Sequence, residues 1–283
     1  MTLLIFGRNG QVASELAQLA EQAVFLGRAD ADLSDPDACA AAIRTHSPRA
    51  VINAAAYTAV DRAEEEEALA TIVNGYAPRA MAETCAALGV PLVHISTDYV
   101  FDGLGDQPFA PDSPTAPLGA YGRSKLMGED GLRAACGVHA ILRTSWVFSA
   151  HGNNFVKTML RLGSERDSLR VVADQIGGPT SARAIARTCL TMAEGLSAQP
   201  DLSGTYHFAG SPATSWAGFA RAIMAGAGLD CTIEDIPSAA YPTPAQRPLN
   251  SRLDCDTLAR FGLAQPDWQA DLTDVIAELK GRP

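Results

Sequence analysis

Tyr121 and Lys125 lie four residues apart in Tyr121-Gly122-Arg123-Ser124-Lys125, a spacing that puts a phenol and an ammonium one turn apart on the same face of a helix. Such a pair can move a proton. A free phenol titrates near ~10, and a lysine charge beside it favours the phenolate and lowers that value. The spacing alone is ordinary, because tyrosine and lysine often share a solvated helix face. Its weight comes from Ser96-Thr97-Asp98-Tyr99, which closes the apolar run Leu92–Ser96. In an open α/β sheet ligands bind beyond the carboxyl ends of the strands, so the Thr97 hydroxyl is expected to face the Tyr121 helix. A hydroxyl, a phenol and an ammonium converging on one point suit reduction of a carbonyl. Thr97 orients the oxygen and Tyr121 protonates it as a hydride arrives, while Lys125 lowers the phenol. His94, in the same run, reads as a core residue rather than a catalyst.

A hydride needs a donor. Gly7-Arg8-Asn9-Gly10-Gln11-Val12-Ala13 follows the apolar run Leu3–Phe6 and opens a helix. Glycines there let the backbone approach a pyrophosphate, and the helix N-terminus offers free N–H groups and a positive dipole end. The spacing is irregular, with Ala13 where a third glycine would sit, and a plain strand–helix turn is the alternative. A strand before and a helix after favour a dinucleotide site, with Gly7 and Gly10 in it and Lys125 on the nicotinamide ribose. The second strand ends Leu26-Gly27-Arg28 with no carboxylate at its tip. An acidic residue there would bind the ribose diol of NAD, whereas an arginine can receive the 2′-phosphate of NADP. Arg28 therefore favours NADP(H), with Asp30 and Asp32 close enough to serve NAD(H). After the third strand, the small residues of Asn53-Ala54-Ala55-Ala56 leave room for a flat ligand.

These residues need a scaffold. Strands are expected at Leu3–Phe6, Ala23–Leu26, Ala50–Asn53, Leu92–Ser96, Ala140–Arg143 and Leu169–Val172, and helices at Gln11–Ala20, Pro36–His46, Ala77–Leu88 and Tyr121–Ala135. Strands alternating with helices predict a doubly wound, Rossmann-type α/β fold with a parallel sheet. From about Trp146 the rhythm changes. A helix near Asn154–Leu162, a strand at Thr205–Phe208, a helix at Trp216–Ala225, a strand at Cys231–Ile236 and a helix near Leu272–Leu279 predict a smaller mixed α/β domain. The expected division is a dinucleotide-binding domain over 1–146, to which the chain returns near 165–200, and a mainly substrate-binding part over 147–283. Glu64–Glu67 reads as a solvated helix start.

Lys+Arg 22 against Asp+Glu 32 gives a net charge of −10, which argues against nucleic-acid or anionic-membrane binding. An anionic substrate then requires a local basic cluster. The six cysteines are scattered without a Cys-x-x-Cys pair, so neither zinc nor a disulfide framework is indicated. No apolar run approaches the ~20 residues of a membrane span, and a cytoplasmic protein is expected.

Seven segments together resemble the dTDP-4-dehydrorhamnose reductases, extended short-chain dehydrogenase/reductases, over nearly the full length. They are Phe6-Gly7 with Gly10-Gln11-Val12, Asn53 to Asp61, Ser96 to Gly103, Tyr121 to Lys125, Arg143 to Val147, Asp174 to Thr180, and Arg247 to Leu253. The resemblance implies Thr97, Tyr121 and Lys125 as the catalytic triad. It implies cofactor contacts from Gly10, Gln11, Val12, Asp32, Leu33, Ala56, Tyr57 and Thr58, and substrate contacts from Thr97, Asp98, Tyr99 and Trp146. Arg247 is implied for the pyrophosphate of a dTDP-sugar, in agreement with the need for a local cation. In some members a magnesium ion bridges a dimer; Glu15 stands at such a position, but Arg183 occupies the place of a second acidic ligand. The residues thus argue against the metal and leave a homodimer open.

The activity implied is NAD(P)H-dependent reduction of the 4-keto group of dTDP-4-dehydro-β-L-rhamnose. One rival is a non-catalytic binding subunit resembling the regulatory chain of methionine adenosyltransferase; the intact Thr97, Tyr121 and Lys125 favour the enzyme. Another is a nucleotide-sugar epimerase or dehydratase on the same fold, disfavoured for dehydration by Tyr99 following Asp98.

Overall fold

The computed structural model describes residues 2–281. Strands β1 (Leu3–Phe6), β2 (Val24–Leu26), β3 (Ala50–Asn53), β4 (Leu92–Thr97) and β5 (His139–Thr144) fall within one residue of the expected ends. They run parallel in the spatial order β2-β1-β3-β4-β5. Their near-continuous apolar sequences reflect burial on both faces. Alternate residues of β1 show this directly: Leu3 and Ile5 enter one core, Leu4 and Phe6 another. On one face lies helix α1 (Gln11–Leu19); on the other lie α2 (Pro36–His46), α3 (Ala77–Leu88) and α4 (Ala120–Ala134). This is the doubly wound fold.

Beyond residue 146 the expectations need correction. After α5 (Phe155–Glu165), strand β6 (Ser168–Val172) does not continue the sheet of the first part. Helix α6 (Ala182–Ala198), which the apolar pattern does not announce, packs beside α1 against the main sheet. Strand β7 (Gly204–His207), expected in the smaller domain, pairs in parallel with β5 and closes the main sheet as its sixth strand. The chain's return is thus made by α6 and β7. The reason is burial: Tyr206 and Phe208 are 1% and 3% exposed in the core that also holds Ile185, Cys189 and Met192 of α6.

After α7 (Trp216–Ala227), strand β8 (Thr232–Ile236) pairs with β6 as a separate two-stranded sheet, and α8 (Trp268–Lys280) ends the chain. Phe148, Val156, Leu169, Phe219, Ile223 and Trp268 centre a third core. The six cysteines are unpaired, all but Cys136 buried. Among the described residues no helix is long and apolar enough to cross a membrane.

Candidate active site

Helix α4 carries Tyr121 and Lys125, and its start is fixed from outside: the Ala120 N–H donates to Glu64 Oε1 at 2.9 Å. A carboxylate there satisfies an orphan N–H and faces the positive end of the dipole. The Glu64–Glu67 run is therefore not simply a solvated helix start. Glu66 accepts the Tyr57 hydroxyl at 2.5 Å and Glu67 takes Arg123 Nε at 2.8 Å. The helix lies tight on its neighbours, since a Cβ at Gly122 would stand 2.2 Å from the Tyr99 carbonyl oxygen, and one at Gly128 2.2 Å from that of Asn74.

Asn74, buried in the π-helical turn Ile72–Tyr76, accepts the Tyr57 N–H at 2.8 Å and donates to the Tyr57 carbonyl and to Ser124 Oγ, both at 3.0 Å. It ties the loop after β3 to the Tyr121 helix. The sequence signal for Asn74 is faint, one amide in an alanine-rich stretch, although π turns often mark functional sites.

Thr97, the last residue of β4, stands beside Tyr121, and its hydroxyl favours the ionised phenol. Thr97 Oγ1 also donates to Asp98 Oδ1 at 3.1 Å and accepts the Tyr99 N–H at 3.2 Å. The Tyr99 ring stands edge-on to Tyr121, centroids 5.5 Å apart. Burial above all raises the Tyr121 phenol, with Asp98 and Tyr99 adding to the rise and only Thr97 opposing it. The lowering by Lys125 expected from the spacing is not found. Lys125 Nζ turns away, donating to the Ile95 carbonyl at 2.7 Å and lying 3.2 Å from His94 Nε2. Burial brings Lys125 down to about 8, against the pull of Glu129. The phenol keeps its proton through the neutral range, the form a proton donor needs.

Asp98 lies 3% exposed beside this pair. Burial raises it to about 6, with the hydroxyls of Ser251 and Thr97 pulling the other way, and its Oδ2 has no hydrogen-bond partner.

A cavity of about 200 Å³ opens where β1 has β2 on one side and β3 on the other, and Gly7, Arg28, Asp32, Leu33 and Ala56 all line it. That is the switch point at which open α/β sheets bind ligands. Gly7 has φ +114°, and a Cβ there would come within 3.3 Å of the Ala54 carbonyl, so the position requires glycine. Gly10 caps α1 and nothing lies within 4 Å of where its Cβ would be, which leaves the helix N-terminus open to a ligand.

The other expected cofactor residues are placed differently. Val12 points into the core at 8% exposure, so only its backbone can serve a ligand. The Gln11 side chain reaches the far part of the chain, its Oε1 accepting from Ser149 Oγ at 3.2 Å and Asn154 Nδ2 at 3.0 Å. Tyr57 is half-buried on its loop and Thr58 is exposed. Arg28 is exposed and only loosely paired, 3.8 Å from Asp32. Arg8, which sequence reasoning passed over, lies across Gly27 from the same turn and donates to the Phe25 carbonyl at 3.2 Å. The nearby carboxylates serve backbone: Asp30 accepts the Gly27 N–H and Asp32 the Ser34 N–H, each at 2.9 Å. A dinucleotide fits this cradle of glycine, open helix N-terminus and cations.

Of the residues the resemblance implies for the substrate, Trp146 holds a left-handed φ of +48°, an uncommon conformation for a bulky residue. Its ring stacks on Trp216 at 3.7 Å, and Gly177 lies beneath it, where a Cβ would approach Trp146 Cε2 to 2.8 Å. Arg247 donates to Asp61 Oδ2 at 2.8 Å and lies close enough to the Tyr99 phenol to lower it. Its segment is pinned to the loop after β4, because the Asn250 N–H donates to the Gly103 carbonyl at 2.9 Å and Asn250 Nδ2 to that of Gln107 at 2.8 Å. Asp61 and Trp216 were not singled out from sequence. A larger cavity of about 470 Å³ beside Arg252, Asp254 and Ser211 holds none of the expected residues.

At the position where a magnesium ion is implied, the residues do not fit one. Glu15 is 1% exposed and takes Arg183 Nε at 2.9 Å, while Arg183 Nη2 reaches Glu278 at 2.7 Å. A guanidinium already stands between the two carboxylates.

The model of the RmlD substrate binding domain family matches residues 1–280. A curated dTDP-4-dehydrorhamnose reductase from Sinorhizobium fredii is 46% identical over 279 residues, covering 95% of this chain and 94% of that one. The crystal structure of a dTDP-4-dehydrorhamnose reductase from Clostridium acetobutylicum superposes with a TM-score of 0.92 at 35% identity, covering 99% of this chain and all of the other. That of a dTDP-4-dehydrorhamnose reductase from Bacillus anthracis, in complex with NADP, does so with 0.89 at 33% identity, over 98% and 100% of the two chains. With a sheet, a cradle and a Thr97–Tyr121 pair of the kind a reductase needs, and with relatives matching end to end, this chain belongs to the dTDP-4-dehydrorhamnose reductase family.

Proposed function

We propose that the chain reduces the 4-keto group of dTDP-4-dehydro-β-L-rhamnose to give dTDP-β-L-rhamnose, with NADPH preferred over NADH. The observation that carries this reading is the Thr97–Tyr121 hydroxyl pair at the carboxyl end of β4, with Lys125 one turn along α4. The nicotinamide cofactor, when bound, supplies the hydride. Tyr121 gives its proton to the ketone oxygen as the hydride arrives, and Thr97 turns its hydroxyl to the same oxygen. Arg28, at the tip of β2, and Arg8, just after β1, support a 2′-phosphate as exposed cations facing the same turn, each only loosely paired with a carboxylate, at 3.8 Å from Asp32 and 3.4 Å from Asp30. Cofactor contacts fall to Gly7, Gly10, Gln11, Val12, Asp32, Leu33, Ala56, Tyr57 and Thr58, some through backbone alone. Asp98, Tyr99, Trp146 and Arg247 meet the sugar nucleotide, with Arg247 on its pyrophosphate.

The first part of the chain, with α6 and β7, holds the cofactor, and the rest of 147–281 covers the substrate. The test is turnover: purified protein should oxidise NADPH only when given dTDP-4-dehydrorhamnose. Cofactor binding without any turnover would turn the reading to a binding protein.

A further inference from the structure

Behind the catalytic pair a chain of three buried polar groups runs across two strands and a helix. Asn53 of β3, His94 of β4 and Lys125 of α4 are 1%, 0% and 2% exposed. Asn53 Oδ1 accepts the Ala55 N–H at 3.1 Å, which fixes the amide and turns its Nδ2 to His94 Nδ1 at 3.0 Å. An amide nitrogen can only donate, so Nδ1 accepts and a neutral imidazole carries its hydrogen on Nε2. Nε2 lies 3.2 Å from Lys125 Nζ. An ammonium has three donors and no lone pair, whereas an amine has one to offer. With Nε2–H facing it, the lysine satisfies this contact only as the amine, its own N–H going to the Ile95 carbonyl at 2.7 Å. The alternative tautomer would set the Asn53 NH₂ against the Ala55 N–H, leaving a buried donor without an acceptor.

We propose that His94, oriented by Asn53, is a positioning residue that favours the amine form of Lys125 when no nucleotide is bound. Lys125 is then a group that takes up a proton near neutrality, not a fixed charge. The other charged groups that reach the pair do not supply the missing acceptor. Glu129, farther along α4, is taken by Arg143 at 2.6 Å, by Arg133 at 2.7 Å and by Ser96 at 2.6 Å. His139 of β5 is itself lowered by burial. The Tyr121 phenol, one turn back, is raised by burial and keeps its proton. Burial above all keeps His94 well below its ordinary value and hence neutral.

The proposal takes from the proposed function only that Lys125 belongs to the catalytic set, and its test uses no turnover. The chain contains three lysines and five histidines, so heteronuclear NMR can follow each, with assignment by Lys125→Met. In protein without added nucleotide, His94 should show the Nε2–H tautomer at neutral pH. Lys125 should titrate well below the ordinary lysine range. In His94→Gln the amide oxygen can accept from an ammonium, and the Lys125 midpoint should rise by about one pH unit or more, a tenfold change in ammonium fraction. An Nδ1–H tautomer in the wild type, which needs no variant to fold, would overturn the proposal. So would a Lys125 midpoint unmoved by His94→Gln. Either result leaves NADPH oxidation to be judged on its own.

Discussion

Asp61 holds the Arg247 segment at two points: Oδ2 takes Arg247 Nη2 at 2.8 Å, and Oδ1 takes the Ala245 N–H at 3.2 Å. A carboxylate just beyond the loop after β3 thus sets the aim of a guanidinium from the far part of the chain. If Arg247 meets the pyrophosphate, Arg247→Lys should raise KM and Arg247→Met should raise it further, with kcat within a few-fold of wild type because the contact is remote from the ketone. Asp61→Ala should raise KM by roughly a few-fold, and have no further effect in the Arg247→Met background. Additive losses in the double variant would mean that Asp61 does not act through Arg247.

Tyr121→Phe keeps the ring against Tyr99 and removes the hydrogen. Loss of a general acid is expected to lower kcat by ~10²–10⁴-fold, with cofactor affinity unchanged. Steady-state kinetics and nucleotide titration check this. Near-wild-type turnover would remove Tyr121 from the proton-donor role.

Cofactor preference is expected to reside in two exposed cations, Arg28 at the end of β2 and Arg8 just after β1. Arg28→Ala should weaken NADPH by ~1.5–3 kcal/mol, the scale of a hydrogen bond to a charged group, and leave NADH nearly unchanged. Arg8→Ala should act in the same direction, and the double variant should lose the preference. Parallel titrations with both nucleotides decide; equal losses for the two would assign these arginines a structural role.

Asp98 carries a pH signature. Its carboxyl is raised from 3.8 to about 6 by burial, so the folded chain binds this proton more tightly than the unfolded one. Its contribution to stability is full below pH ~4 and is lost as the pH rises through about 6. Asp98→Asn stays neutral throughout. Relative to wild type it should gain on the order of 2–3 kcal/mol between those limits, read from denaturant unfolding at a series of pH values. A difference that does not change with pH would count against a buried, ionising Asp98.

Arg183→Ala leaves Glu15, 1% exposed, without its guanidinium. A buried charge stripped of its partner is expensive, and a loss of about 2–3 kcal/mol is expected, smaller than for a fully buried pair because Arg183 is 31% exposed. Thermal unfolding should show no rescue by magnesium. Full recovery with the ion would mean that the carboxylates prefer a metal after all.

Much of this was local and therefore legible from residue order. The strand–glycine–helix start, the parallel alternation through β5 and the Thr97, Tyr121 and Lys125 positions each depend on periodicity and spacing within a few tens of residues. Burial on both faces wrote β1, β3 and β4 as apolar runs, and the demand for φ +114° at Gly7 wrote a glycine. Other features depend on contacts between distant segments. The return of α6 and β7 to the main sheet is decided by which core Tyr206 and Ile185 enter, and nothing local distinguishes the cores. The roles of Glu64, Asn74 and Asp61 arise across 56, 50 and 186 residues, respectively. Spacing placed Lys125 one turn from Tyr121, but it could not say where the amine points. Only the packed core, with the Ile95 carbonyl and His94 Nε2 as the partners within reach, turned it away from the phenol and left burial to govern both groups.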